Sequence, residues 1–80
     1  MKIIKDDLSQ IISDILNLDY DIIQQIDEDK NFEEHGLTSV SVIQLVVMIE
    51  LKYGIEIRYE DLHINKLNTF NKLICLLENY

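Results

Sequence analysis

Proline is absent from this sequence, cysteine occurs once, at Cys75, and glycine only at Gly36 and Gly54. A lone cysteine excludes an internal disulfide and any multi-cysteine zinc site, so no structural metal is expected. No Pro- or Gly-rich stretch, repeat or low-complexity tract divides the chain, and residues 1–80 are expected to form one domain. Basic residues are scarce as well: seven Lys and Arg stand against fifteen Asp and Glu, a formal net charge of −8. This is the opposite of a phosphate-backbone binder, so nucleic acid is not an expected partner. No apolar run approaches the roughly 18 residues of a membrane span, so neither is a membrane. Asp6 and Asp7 interrupt the apolar character a secretory signal would need near the start, which makes the cytoplasm the expected location.

What is present is a hydrophobic content of 48%, too high for a disordered tail. Ile4, Leu8, Ile11, Ile12, Ile15 and Leu16 recur at helical spacing, and Asp6 and Asp7 suit the positive end of a helix dipole, which predicts a first helix over Lys5–Asn17. Leu18 to Thr38 reads as a long polar connection with Tyr20, Ile22, Ile23, Ile26 and Phe32 as scattered anchors. A connection of that length is either functional or pinned by its own side chains. A second helix is predicted over Ser39–Tyr53, stopped by Gly54 at a position that favours glycine. YEDLH, residues 59–63, suggests one short turn, and Thr69 a cap for a last helix with Phe70, Leu73, Ile74 and Leu77 as its core stripe. The fold class is therefore all-α, a small antiparallel bundle of three main helices plus one short helix.

The stretch from Gly36 to Ile49 contains no charged side chain, although 28% of the chain is charged. At about 100° per residue, with Val40 set at zero, Val42, Leu45, Val46, Ile49 and Tyr53 fall between about 140° and 240°. Val40, Ile43, Val47 and Leu51 fall on the opposite side, between about 300° and 20°. The second helix thus carries two apolar stripes, and a bundle this small has no fourth long helix to cover the second. Val47 and Leu51 are expected to face solvent and await a partner, whereas Ile43 fits equally well between neighbouring helices. Asp27, Glu28, Asp29, Glu33 and Glu34 crowd the approach to this segment and would speed encounter with basic protein surfaces.

The run FEEHGLTSVSVIQLVVMIELKYGIEI, with the LNTF that follows, resembles the phosphopantetheine-attachment region of acyl and peptidyl carrier proteins. Phe32, Gly36, Ser39, Tyr53, Gly54, Ile55 and Ile57 match the family pattern, and Leu67, Thr69 and Phe70 fit the entry to its last helix. The resemblance implies that Ser39 carries a covalent 4′-phosphopantetheine arm, drawn from coenzyme A, whose thiol holds acyl or aminoacyl intermediates as thioesters. It implies a carrier and not an enzyme. The partners implied are a phosphopantetheinyl transferase, an adenylating or acyl-loading enzyme and downstream processing enzymes, all met by a monomer. Thr38, Val40, Ile43, Gln44, Val47 and Leu51 are the residues expected to face them.

The physical argument runs beside the resemblance. A phosphodiester on Ser39 would lie near free backbone N–H groups and the positive end of a dipole. The competing reading is that Ser39 and Thr38 only cap the helix, which taken alone is the commoner use of such residues. Ser41, two residues on, is the competing hydroxyl. Thr38 stands where the family usually has aspartate and His35 where leucine is common, while Ser41 and Gln44 occupy positions that are frequently acidic in carriers of bacterial fatty acid synthesis. These departures favour a discrete carrier of a natural-product assembly line, of nonribosomal-peptide or polyketide type. The alternatives are an acyl carrier of fatty acid synthesis, a helical adaptor that only binds protein, and, furthest from the pattern, a small hydrolase. His35 and Ser39 lack a third group at suitable spacing for nucleophilic catalysis. His63 beside Glu60 and Asp61 is not a metal set, and Cys75 is expected to be a small, partly buried apolar residue.

Overall fold

A computed structural model describes all 80 residues, and every regular element in it is helical. Helix α1 spans Lys5–Leu16 and buries Leu8, Ile11 and Ile12. It stops one residue earlier than its pattern suggests because Asn17 turns left-handed (φ 55°), a conformation asparagine tolerates, and its N–H caps the Ser13 carbonyl.

The connection from Leu18 to Thr38 holds more structure than its sequence signals. A five-residue helix, α2, covers Tyr20–Gln24, and a 3₁₀ turn covers Phe32–His35. Five residues are too few for a periodic signal; α2 instead depends on tertiary contacts. Ile23 is fully buried, and the Gln24 amide donates to Ser9 Oγ at 2.8 Å and to Tyr20 Oη at 3.0 Å. The expected pinning by side chains is present. Phe32 is fully buried and meets Phe70 edge to face, with centroids 4.9 Å apart. Lys5 Nζ lies 4.9 Å from the Phe70 ring centroid and donates to the Ile26 carbonyl at 3.0 Å. Asn71 holds the acidic loop through its backbone N–H to Glu28 O (3.0 Å) and its amide to Asp29 Oδ1 (2.6 Å).

Helix α3 occupies Ser39–Tyr53 and ends where Gly54 adopts φ 65°, its N–H donating to Glu50 O at 2.9 Å. Its inner face, Val42, Leu45, Val46 and Ile49, is buried. At its end the Tyr53 hydroxyl is buried without a hydrogen-bond partner. Burial, and then the Asp7 carboxylate, raise its pKa above the ordinary 10.0. Beyond Gly54 come a 3₁₀ turn at Tyr59–Asp61, a four-residue helix α4 at Ile64–Leu67 that the sequence reading does not separate, and α5 at Phe70–Leu77. Thr69 caps α5, its Oγ1 accepting from Lys72 N at 3.0 Å. Phe70, Leu73 and Leu77 face the core. Cys75 departs from expectation and is exposed, because its position falls about 140° around α5 from Phe70 while Leu73 and Leu77 stay within about 60° of it. The three main helices, α1, α3 and α5, close on one core cluster, and no helix is long and apolar enough to cross a membrane.

Candidate functional site

The start of α3 is built by two neighbours that Ser39 does not resemble. Gly36 takes φ 106° and reverses the chain after the 3₁₀ turn, a backbone state an L side chain rarely adopts. Leu37, next in line, is buried, and its N–H donates to Phe32 O at 3.1 Å, so the approach to the helix is anchored through Phe32. Thr38 is extended (φ −124°, ψ 171°) and caps the helix: Oγ1 accepts from Ser41 N at 3.2 Å and lies 3.1 Å from Ser41 Oγ. The capping reading therefore holds for Thr38 and not for Ser39.

Ser39 is exposed on the first turn, and its hydroxyl has no hydrogen-bond partner within the chain. The N–H groups of Ser41 and Val42 are taken by Thr38, whereas those of Ser39 and Val40 have no partner in the chain. A free hydroxyl beside two free amide donors at the positive end of a 15-residue helix suits an oxygen that bears a phosphate group. These residues fit a phosphodiester-linked arm.

Both stripes of α3 occur as the helical angles predict. Val40, Ile43, Val47 and Leu51 are 69%, 66%, 48% and 80% exposed. Ile43, for which an intercalated position was equally expected, stands in solvent, because no element packs over that side of the helix. Thr38 and Gln44 are exposed as well. The residues expected to face partners are thus all accessible, Val40, Ile43, Gln44, Val47 and Leu51 along one side of α3 and Thr38 at its start.

A groove of about 350 Å³ opens beside Ser39, between Val42, Ile43, Val46 and Val47 of α3 and the segment Leu62–Ile64. A shallower cleft lies on the other flank, where Ile15 and Asp14 of α1 face Val47 and Met48. Ile43 and Val47 line both, forming a ridge between two concavities. Apolar material can shelter in the first groove, whose only ionisable lining side chain is His63. The sequence reading misses this second wall. Its signal was Leu62 and Ile64 at either side of His63, too short a pattern to assign. His35 lies half-buried at the end of the 3₁₀ turn, and no cluster of three or more His, Cys, Asp or Glu side chains capable of holding a metal ion occurs.

Comparison with known proteins agrees with this geometry. A family model described as "Phosphopantetheine attachment site" matches residues 6–76. A protein named acyl carrier protein from Campylobacter lari is 30% identical over 74 residues, which cover 92% of this chain and 91% of that relative. The family match decides for a carrier among the readings left open by the sequence. The chain belongs to the phosphopantetheine-binding carrier proteins, which hold acyl intermediates on a covalent 4′-phosphopantetheine arm and act as carriers rather than catalysts.

Proposed function

We propose that Ser39 bears the arm and that this chain, as one carrier domain over residues 1–80, serves a natural-product assembly line in the cytoplasm as a monomer. The observation that carries the assignment of Ser39 is the division of labour at the helix start. Thr38 and Ser41 occupy each other, and Ser39 alone presents an uncommitted hydroxyl. When bound, the arm supplies a thiol that holds a carboxylic acid as a thioester. The chain's own residues do the rest: Thr38 keeps the first turn formed, the Ser39 and Val40 N–H groups face the phosphate charge, and Leu37 with Phe32 holds the loop that delivers the serine.

The assembly-line reading draws on the solvent face of α3. Thr38, Val40, Ile43, Gln44, Val47 and Leu51 carry no charge, so the transferase, the adenylating or acyl-loading enzyme and the downstream processing enzymes would dock by desolvating apolar surface. Fatty acid synthesis is the second reading, favoured by the apolar groove beside Ser39, which suits a hydrocarbon. Intact-mass analysis of the chain purified from its own cells, before and after hydroxylamine cleavage of thioesters, separates the two. An aminoacyl or short functionalised acyl group, held as a thioester on the thiol of the arm that Ser39 bears, is the expected cargo. A series of saturated straight-chain acyl groups would assign the chain to fatty acid synthesis instead.

A further inference from the structure

The residues linking α3 to α4 have little regular structure, yet five side-chain hydrogen bonds hold them. Ile57 N–H donates to Glu50 Oε2 at 2.9 Å, Arg58 N–H donates to Tyr80 Oη at 2.8 Å, and Tyr80 Oη in turn donates to Asp61 Oδ2 at 2.7 Å. Lys66 Nζ donates to Glu60 O at 3.0 Å and reaches Asp61 Oδ1 at 3.3 Å. The Arg58 guanidinium lies 4.4 Å from the Tyr80 ring centroid and 3.6 Å from Asp61 Oδ2. Asp61 is a buried carboxylate in a chain whose other acidic residues lie largely at the surface, and it is buried because both oxygens are paired.

Asp61 lies immediately before the second wall of the groove. Its carbonyl accepts the His63 N–H at 2.9 Å, and the Leu62 N–H donates to Tyr59 O at 3.1 Å, so the backbone that aims Leu62, His63 and Ile64 is continuous with the paired carboxylate. We infer that Tyr80 and Asp61 form a latch that sets the far wall of the groove beside Ser39: closed, it holds Leu62–Ile64 against α3, and broken, it lets that wall retreat and the groove widen. A hydrogen bond to a buried charge is among the stronger single contacts, and between the apolar anchors Ile57 and Ile64 it is Asp61 that ties the exposed turn down. The latch acts on the groove through the backbone, and it does so whether or not Ser39 carries an arm.

Tyr80→Phe removes one oxygen and keeps the ring over which Arg58 stacks, so the full chain is expected to fold. The unmodified protein is the right material, because the outcome is then independent of any modification at Ser39. Amide hydrogen exchange of Asp61, Leu62 and His63 should accelerate roughly tenfold or more relative to the parent, while Leu45, Val46 and Ile49 in α3 stay within about twofold. Nile red, a neutral apolar fluorophore, should bind the variant with a several-fold change in affinity, and the methyl resonances of Val42, Ile43 and Val46 should shift on its addition. Equal acceleration of wall and core amides would mean general destabilisation and would overturn the latch. So would accelerated wall amides with unchanged Nile red binding, since the groove would then be indifferent to Tyr80.

Discussion

Placing a carboxylate on either stripe of α3 separates surface from core. Ile49 is fully buried, so Ile49→Asp loses about 2–5 kcal/mol of packing and must also bury or expose a charge at a cost of several kcal/mol more. An 80-residue domain has only about 4–12 kcal/mol to lose, and this variant should not fold. Val47 is 48% exposed, so Val47→Asp gives up about half of a valine's burial, roughly 1 kcal/mol, with a small addition from Asp14 across the α1 cleft. Leu51, at 80% exposed, loses about 0.5 kcal/mol on substitution by Glu. Melting temperatures should fall by less than about 8 °C for both. The same charges must be desolvated when a partner enzyme covers the face, so loading by a phosphopantetheinyl transferase should slow by roughly tenfold or more. Circular-dichroism melts and initial loading rates on the three variants and the parent are the assay. Collapse of Val47→Asp alongside Ile49→Asp, or parental loading rates in both surface variants, would refute the assignment of the second stripe to partners.

Phe32→Ala should cost about 3–5 kcal/mol because the ring is fully buried against Phe70, and a variant that melts within about 5 °C of the parent would show that the loop is not pinned there. Thr38→Ala should lose about 1 kcal/mol in chemical denaturation whereas Ser39→Ala should lose almost nothing, since only Thr38 caps α3; equal losses would contradict that division. The hydrogen bond from Tyr80, followed by those from Lys66 and the charges of Lys66 and Arg58, holds the Asp61 carboxyl below its ordinary value of about 3.8 against the opposing effect of burial. A carboxylate depressed on folding stabilises fully above the unfolded value and loses that contribution as pH falls through the lower folded one, so Asp61→Asn should flatten the acid dependence of amide protection at residues 61–63; an unchanged acid profile in that variant would contradict the assignment.

Long, regular elements are legible in the sequence, as is the short turn at Tyr59–Asp61, whereas α2 and α4 are not, for a physical reason. The bounds of α3 follow from an uncharged run closed by Gly54, and its two stripes from a 100° angular step, so both the buried and the exposed faces could be named from residue order. By contrast α2 and α4, of five and four residues, depend on contacts distant in sequence, such as Gln24 on Ser9 for α2 and, for α4, the buried Leu67 and the Phe32 N–H on the Asn68 carbonyl. No local pattern encodes those. The same holds for the groove, whose far wall is brought to α3 by Tyr80 reaching back to Asp61. Ser39 stood out only through the residues around it, because a serine at a helix start looks the same in sequence whether it caps or not.

The attachment site is the claim on which the functional account turns. Parent chain, Ser39→Ala and Ser41→Ala should each be incubated with coenzyme A and a broad-specificity phosphopantetheinyl transferase, and their intact masses recorded with peptide mapping of any added group. The account predicts one phosphopantetheine on the parent and on Ser41→Ala, mapped to Ser39, and none on Ser39→Ala. A loaded Ser39→Ala, or a parent left unmodified by several such transferases, would contradict it.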